Sequence, residues 1–319
     1  MTVDFCTRIW NGRDPWGEHA GAHGPVGDGA TASVHEAAMS CVEVAVVVGY
    51  ASDRLDVRLD DEAVLAAVEQ MPERRVGVLG VDVSRRDALQ AVDAAAGAEG
   101  IIGVAVSPAD QGVRPTDDRF VEVVRAASER GLVVMIQNPG LFHPRSDLSF
   151  ADPRLIDELL RDHHEDALVQ SARLVLGDFG CVPIEHTMAV VAKHERVFVE
   201  MSAVAGRPGR LRTAIFGAHE FGIASRVLFA SGFPRETPER AIERLYSVNA
   251  GSPSGDSACG RVPREVLRQI VEGDALGKLG IRHIWAGSGT RPEAGMRASV
   301  RAGLLSSGET DDDTEDAAW

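Results

Sequence analysis

The chain has 319 residues, 44% of them hydrophobic and 25% charged, which gives ample material for a large core and enough length for two ordinary domains or one barrel of the (β/α)8 type, at about 250 residues. A formal net charge of -15, from 48 acidic against 33 basic residues, argues against nucleic acid or an anionic membrane surface as partner, because both carry the same sign. Four scattered cysteines without a C-x-x-C pair exclude a zinc knuckle or a disulfide framework, and no h-region or apolar run of about 18 residues occurs, so the expectation is a cytoplasmic protein with reduced thiols.

A short apolar run at residues 2–5 leads through Cys6 into a Gly-rich stretch at 11–29, expected to be a long loop over one barrel end. Residues 33–40 read as a short helix, and the β-branched run 42–50 as a fully buried strand. A helix over 60–70 precedes a strand at 76–83. Ser84 is placed to cap a helix through Ala96, and residues 100–108 form a fourth strand.

Residues 117–130 are amphipathic, with Gly131 as C-cap, and the fifth strand spans 132–140. A helix at 153–161, a strand at 173–180, a helix at 185–193 and a strand at 197–204 follow. The eighth strand is RVLFASGFP, residues 226–234, and further helices are expected at 239–249 and within 262–281. Eight strands alternating with helices predict parallel crossovers, and eight is the number that closes a (β/α)8 TIM barrel. The domain reading is a single barrel over residues 1–285 and an acidic tail, expected to be mobile, over 286–319.

The 226–234 stretch resembles the last barrel strand of the amidohydrolase-related (amidohydrolase 2) family, roughly F-G-S-D-x-P, with Phe229, Ser231, Phe233 and Pro234 keeping the frame. The likeness runs from Val3 to Ile281 and is strongest to the branch with aminocarboxymuconate-semialdehyde decarboxylase and pyrone-dicarboxylate lactonase. That resemblance implies an amidohydrolase-like barrel whose relatives mostly hold one divalent metal at the C-terminal strand ends. Against it, the family's D-x-H-x-H slot reads Asp4-Phe5-Cys6-Thr7-Arg8, its Ile-His pair reads Ile136-Gln137, its Ala-His-x-Gly reads Gly177-Asp178-Phe179-Gly180, and its catalytic aspartate is Gly232.

Zinc or manganese needs about four imidazole, carboxylate or thiolate donors, and an arginine repels a cation, so no metal and no other cofactor is expected. The bore candidates are Asp4, Cys6, Arg8, Gln137, Asp178, His186 and Glu200. An Arg8–Asp178 ion pair completed by Asp4 or Gln137 is the expected electrostatic centre; the competing reading is that each residue is an unrelated filler. Cys6 reads either as a thiolate nucleophile beside Arg8 or, more simply, as a small buried packing residue. His186 reads as a general base over the barrel mouth or as a surface residue, and Trp10 and Trp16 as a cap on a pocket or interface.

Two functions follow. One is a binding or subunit barrel without catalysis, a pseudoenzyme, partnered with itself as an oligomer or with an intact amidohydrolase paralogue. The other is a metal-independent hydrolase or decarboxylase acting on a small carboxylate, lactone or amide, which makes a small-molecule acid the expected ligand.

Overall fold

The computed structural model describes residues 1–17, 30–177, 179, 183–250 and 260–282. The expected acidic tail, most of the Gly-rich loop and Asp178 therefore lie outside the described residues. Eight parallel strands form one sheet, in the order β1 (Val3–Thr7), β2 (Val44–Val48), β5 (Arg75–Gly80), β6 (Ile101–Val106), β7 (Val133–Ile136), β8 (Arg173–Leu176), β9 (Val197–Glu200) and β10 (Val227–Leu228). Almost every residue in these strands is buried, because helices cover the outer face while side chains fill the bore. Each fully buried valine or leucine contributes roughly 1.5–3 kcal/mol through loss of contact with water.

Expected and observed elements differ at particular places. The run at 42–50 does not continue as one strand: β2 stops at Val48, and the chain turns into a small antiparallel hairpin of β3 (Tyr50–Ser52) and β4 (Val57–Leu59) at the barrel mouth. Ser84 caps no helix; its hydroxyl and amide both bond Asp82 Oδ1, and the helix starts later, at Ala88–Gly97 with Asp87 as its N-cap. The helix Pro208–Glu220, begun by a proline in its first turn, lies between the seventh and eighth barrel strands, where the sequence pattern was silent. Asp60 and Asp117 do cap the helices that follow them, accepting from Glu62 N and Arg119 N.

The eighth strand departs most. Only Val227 and Leu228 are strand, and Gly232 at φ +75 interrupts the extended run expected through residue 234. The barrel nonetheless closes through this segment. Phe5 N donates to Phe229 O at 2.9 Å, Gly232 N to Cys6 O at 3.0 Å and Arg8 N to Phe233 O at 3.0 Å.

Asp4 fastens the same seam. Its Oδ1 accepts Ser231 N at 2.9 Å across the seam and Cys6 N at 3.3 Å within its own strand. The β1–β2 register shifts between Asp4 and Thr7, a bulge-like irregularity within the Asp4-Cys6-Arg8 stretch. Asp4 is wholly buried and its Oδ2 has no partner among the described residues. Burial pushes its carboxyl up to about 7, with the Ser231 and Cys6 bonds pulling the other way.

An unfolded aspartate titrates near about 3.9. Between that value and about 7, the folded chain holds a proton that the unfolded chain has released, so stability from this group is greatest at low pH and falls as pH rises through the window. Asp4→Asn keeps an acceptor for Ser231 N and removes the titration. The variant is expected to gain on wild type by up to about 4 kcal/mol between pH 4 and pH 8 in denaturant titrations; parallel pH profiles for the two proteins would overturn this.

Candidate functional site

The C-terminal ends of β1, β7, β8 and β9 and the segment after β10 converge on one group of polar side chains. Arg8 leaves the end of β1 and donates through Nη2 to Gln137 Oε1, which lies just beyond β7. Gln137 Nε2 in turn donates to Gly49 O, at the end of β2, at 3.1 Å, which fixes the amide so that its oxygen faces Arg8. Glu200, ending β9, accepts Ser202 N at 2.6 Å and Ser202 Oγ at 2.8 Å. A Cβ added to Gly177 would stand 3.0 Å from Gln137 Cβ and 3.1 Å from Glu200 Oε1, so these neighbours crowd one side of the bore.

Above them lies an aromatic and cationic layer. Trp16 meets Tyr50 edge-on at 5.1 Å and Trp10 at 6.2 Å, and is almost fully buried. The guanidinium carbons of Arg8 and Arg235 sit 5.6 and 5.8 Å from the Trp16 ring centre. Asp14 accepts Trp16 N at 3.0 Å and approaches Arg235 Nη2 at 3.5 Å. Burial lowers the Arg235 pKa, Asp14 raises it, and Arg8 and Arg207 lower it further, which puts both of these arginines within electrostatic reach of Arg235. Arg235 was missed in the sequence, although a cation directly after the SGFP turn was its signal.

Several expectations meet this geometry directly. Asp4, Cys6, Arg8, Gln137 and Glu200 are all buried at the strand ends or the seam. Arg8 takes Gln137 rather than Asp4 as its hydrogen-bond partner, because the Asp4 carboxylate is directed to the seam amides. Its pairing with Asp178 lies outside the described residues. His186 stands apart from the group: on the helix Ile184–Lys193 it faces Asp152 at 3.4 Å, with one-third of its side chain exposed. Burial pushes the Cys6 thiol up to about 12, and the nearby Glu200 and Asp4 add to this while Arg8 and Ser202 oppose it. Desolvation outweighs the arginine, so burial disfavours the thiolate form of Cys6.

Among the described residues no three His, Cys, Asp or Glu side chains converge to hold a divalent ion. A guanidinium stands beside the Cys6 thiol, Gln137 has given its oxygen to it, and a Cβ on Gly232 would meet Ser202 Cβ at 3.1 Å from a backbone already at φ +75.

A second buried cluster braces the mouth. Asp110 accepts Tyr50 OH and Gly140 N at 2.9 Å and Ser146 Oγ at 2.7 Å, tying the loop after β7 to the hairpin. Burial raises the pKa of both Asp110 and Tyr50.

Two outcomes follow. Native alkylation of Cys6 with iodoacetamide at pH 8, mapped by peptide mass, is expected on the order of 10³-fold slower than in the unfolded chain; comparable rates would show an activated thiol. Gly232→Asp is expected to lose roughly 1–2 kcal/mol in urea titrations, since an L side chain must take a left-handed backbone against Ser202; unchanged stability would show that the slot accepts an aspartate.

The sequence profile of the amidohydrolase family matches residues 3–275. The fold is similar to that of a probable 2-pyrone-4,6-dicarboxylic acid hydrolase from Acinetobacter baumannii with citric acid bound, which is 15% identical over 88% of this chain and 99% of that one, with a TM-score of 0.59. It is also similar to an amidohydrolase from Burkholderia multivorans with bound zinc, 14% identical over 88% and 100% of the two chains, TM-score 0.60. A third likeness is to a 5-carboxyvanillate decarboxylase from Novosphingobium aromaticivorans complexed with manganese, 14% identical over 88% and 96%, TM-score 0.54. No curated protein matches the sequence. With the parallel eight-stranded barrel and a profile match over most of its length, the chain belongs to the amidohydrolase family.

Proposed function

We propose that this barrel is a binding or subunit protein that carries out no metal-dependent catalysis, working as an oligomer or beside an intact amidohydrolase paralogue. The observation that supports the reading best is the chain of contacts Arg8–Gln137–Gly49, which sets a guanidinium and an amide, each hydrogen-bonded, at two slots where the family resemblance calls for histidine. Arginine stays protonated in a protein and would repel a divalent cation, and without such an ion nothing lowers the pKa of an attacking water toward about 7.

The alternative is a metal-independent hydrolase or decarboxylase of a small carboxylate, lactone or amide, and it requires a general base at the mouth. The described acids do not serve it well. Glu200 is held by the Ser202 amide and hydroxyl, Asp4 by the seam, and Cys6 keeps its proton. The arginines favour the same acid ligand under either reading.

Elemental analysis of protein expressed with zinc and manganese supplied tests the proposal. No stoichiometric metal is expected, and a chelator is expected to leave Tm unchanged; about one ion per chain would restore metal-assisted hydrolysis or decarboxylation as the reading.

A further inference from the structure

We propose that the Asn11–Gly12 peptide is a site of spontaneous covalent modification, at which the asparagine amide passes through a cyclic imide to aspartate and isoaspartate, on the exposed turn that leads from the end of β1 to Trp16. The inference does not depend on whether the barrel holds a metal.

The chain has three asparagines, and their surroundings differ. Asn138 precedes a proline, whose nitrogen carries no proton and cannot close the ring, and its Oδ1 accepts Ala109 N at 2.8 Å. Asn249 is held at both ends of its amide: Nδ2 donates to Val262 O at 2.9 Å and Oδ1 accepts Val262 N at 3.1 Å. Asn11 precedes a glycine and is exposed together with Gly12 and Arg13. Among the described residues no hydrogen bond engages the Asn11 amide or the Gly12 N–H.

The reaction requires the Gly12 nitrogen to reach Asn11 Cγ. Gly12 has no side chain to screen that nitrogen, and a Cβ built on it would meet nothing within 4 Å, so the ring closes without displacing a neighbour. Gly12 N loses its proton to base and attacks Asn11 Cγ. The N–Cγ bond forms, the Cγ–Nδ2 bond breaks, and Nδ2 takes up a proton and leaves as ammonia. Water then adds at either carbonyl of the five-membered imide. Opening the new N–Cγ bond gives aspartate, and opening the original bond between Asn11 C and Gly12 N gives isoaspartate. Either product adds one carboxylate to the turn.

The turn is anchored on both sides. Trp10 N donates to Ala30 O at 3.0 Å before it, and buried Asp14 accepts Trp16 N at 3.0 Å after it. Isoaspartate lengthens the main chain between these anchors by one methylene, so the product alters the approach to Trp16 without changing any residue that packs there.

Incubation of the purified full chain at 37 °C and pH 6, 7.5 and 9, followed by rapid acidic digestion and mass spectrometry, tests the site. The peptide containing Asn11 is expected to gain about 1 Da, as an amide becomes an acid, and isoaspartate is read by labelling with a protein isoaspartyl methyltransferase. The rate is expected to rise with pH, because the deprotonated amide is the attacking form, while the Asn138 and Asn249 peptides keep their mass. Gly12→Ala is expected to slow the gain about 10-fold by screening the nitrogen. Asn11→Gln, which must close a larger ring, is expected to slow it on the order of 100-fold.

An Asn11 peptide that keeps its starting mass at pH 9, while a synthetic peptide of residues 8–15 is modified in the same buffer, would overturn the inference by showing that the fold protects the turn. A gain that persists undiminished in Asn11→Gln would place the reaction elsewhere. Equal gains at Asn11 and Asn249 would assign it to the unfolded chain, and would remove the site as well.

Discussion

The seam between β1 and residues 229–233 is the constraint on which the other features depend. A parallel barrel has no stable edge, so its first and last strands must satisfy each other, yet here the last regular strand is only two residues long. Closure therefore passes to an irregular segment, held by three backbone bonds and by the Asp4 carboxylate. The register shift within β1 lets the Asp4 side chain reach both its own strand and its neighbour. That shift and the positive φ of Gly232 fix where Arg8 and Arg235 emerge, so seam and mouth are one structural unit.

Desolvation decides the chemistry of this unit more than pairwise charge does. Cys6 has Arg8 close enough to lower its pKa, yet the thiol is pushed the other way, and Asp4 shows the same order of effects with hydrogen bonds in place of the cation. His35 extends the pattern to the outer layer: buried, bonded to Thr7 Oγ1 at 2.9 Å and lowered to about 3 chiefly by burial, it is a neutral ring in the packing between helix and strand. Dry groups of this kind suit a core better than proton transfer.

The fold was legible from residues that report period and composition. Runs such as VEVAVVVGY and VGVLGVDV are too β-branched and too apolar for surface helices, and the helices expected over 60–70 and 117–130 are found at Asp61–Gln70 and Asp118–Glu129. What escaped was short or context-dependent: the three-residue strands Tyr50–Ser52 and Val57–Leu59 carry no period, and Pro208–Glu220 mixes glycine and arginine so that its buried stripe is faint. Of the site candidates, Arg8, Gln137 and Glu200 lie at the C-terminal ends of β1, β7 and β9, whereas Asp4 and Cys6 lie within β1. Sequence could not show the Arg8–Gln137 bond or the Arg235–Trp16 contact, because both join residues more than 100 positions apart and depend on how the barrel closes.

The residues at positions 8, 137 and 232 also depend on one another. A histidine placed at 137 would take away the amide that bridges Gly49 and Arg8, leaving a second buried donor of Arg8 without an acceptor. A histidine at position 8 would leave Gln137 Oε1 unpaired and withdraw one of the cations on Trp16. An aspartate at 232 would meet Ser202, which also holds the Glu200 carboxylate. Each of these single changes breaks a satisfied contact or meets a neighbouring side chain, so each costs stability. Arg8, Gln137 and the Gly232 turn thus form a self-consistent arrangement in which each position depends on the contacts of its neighbours.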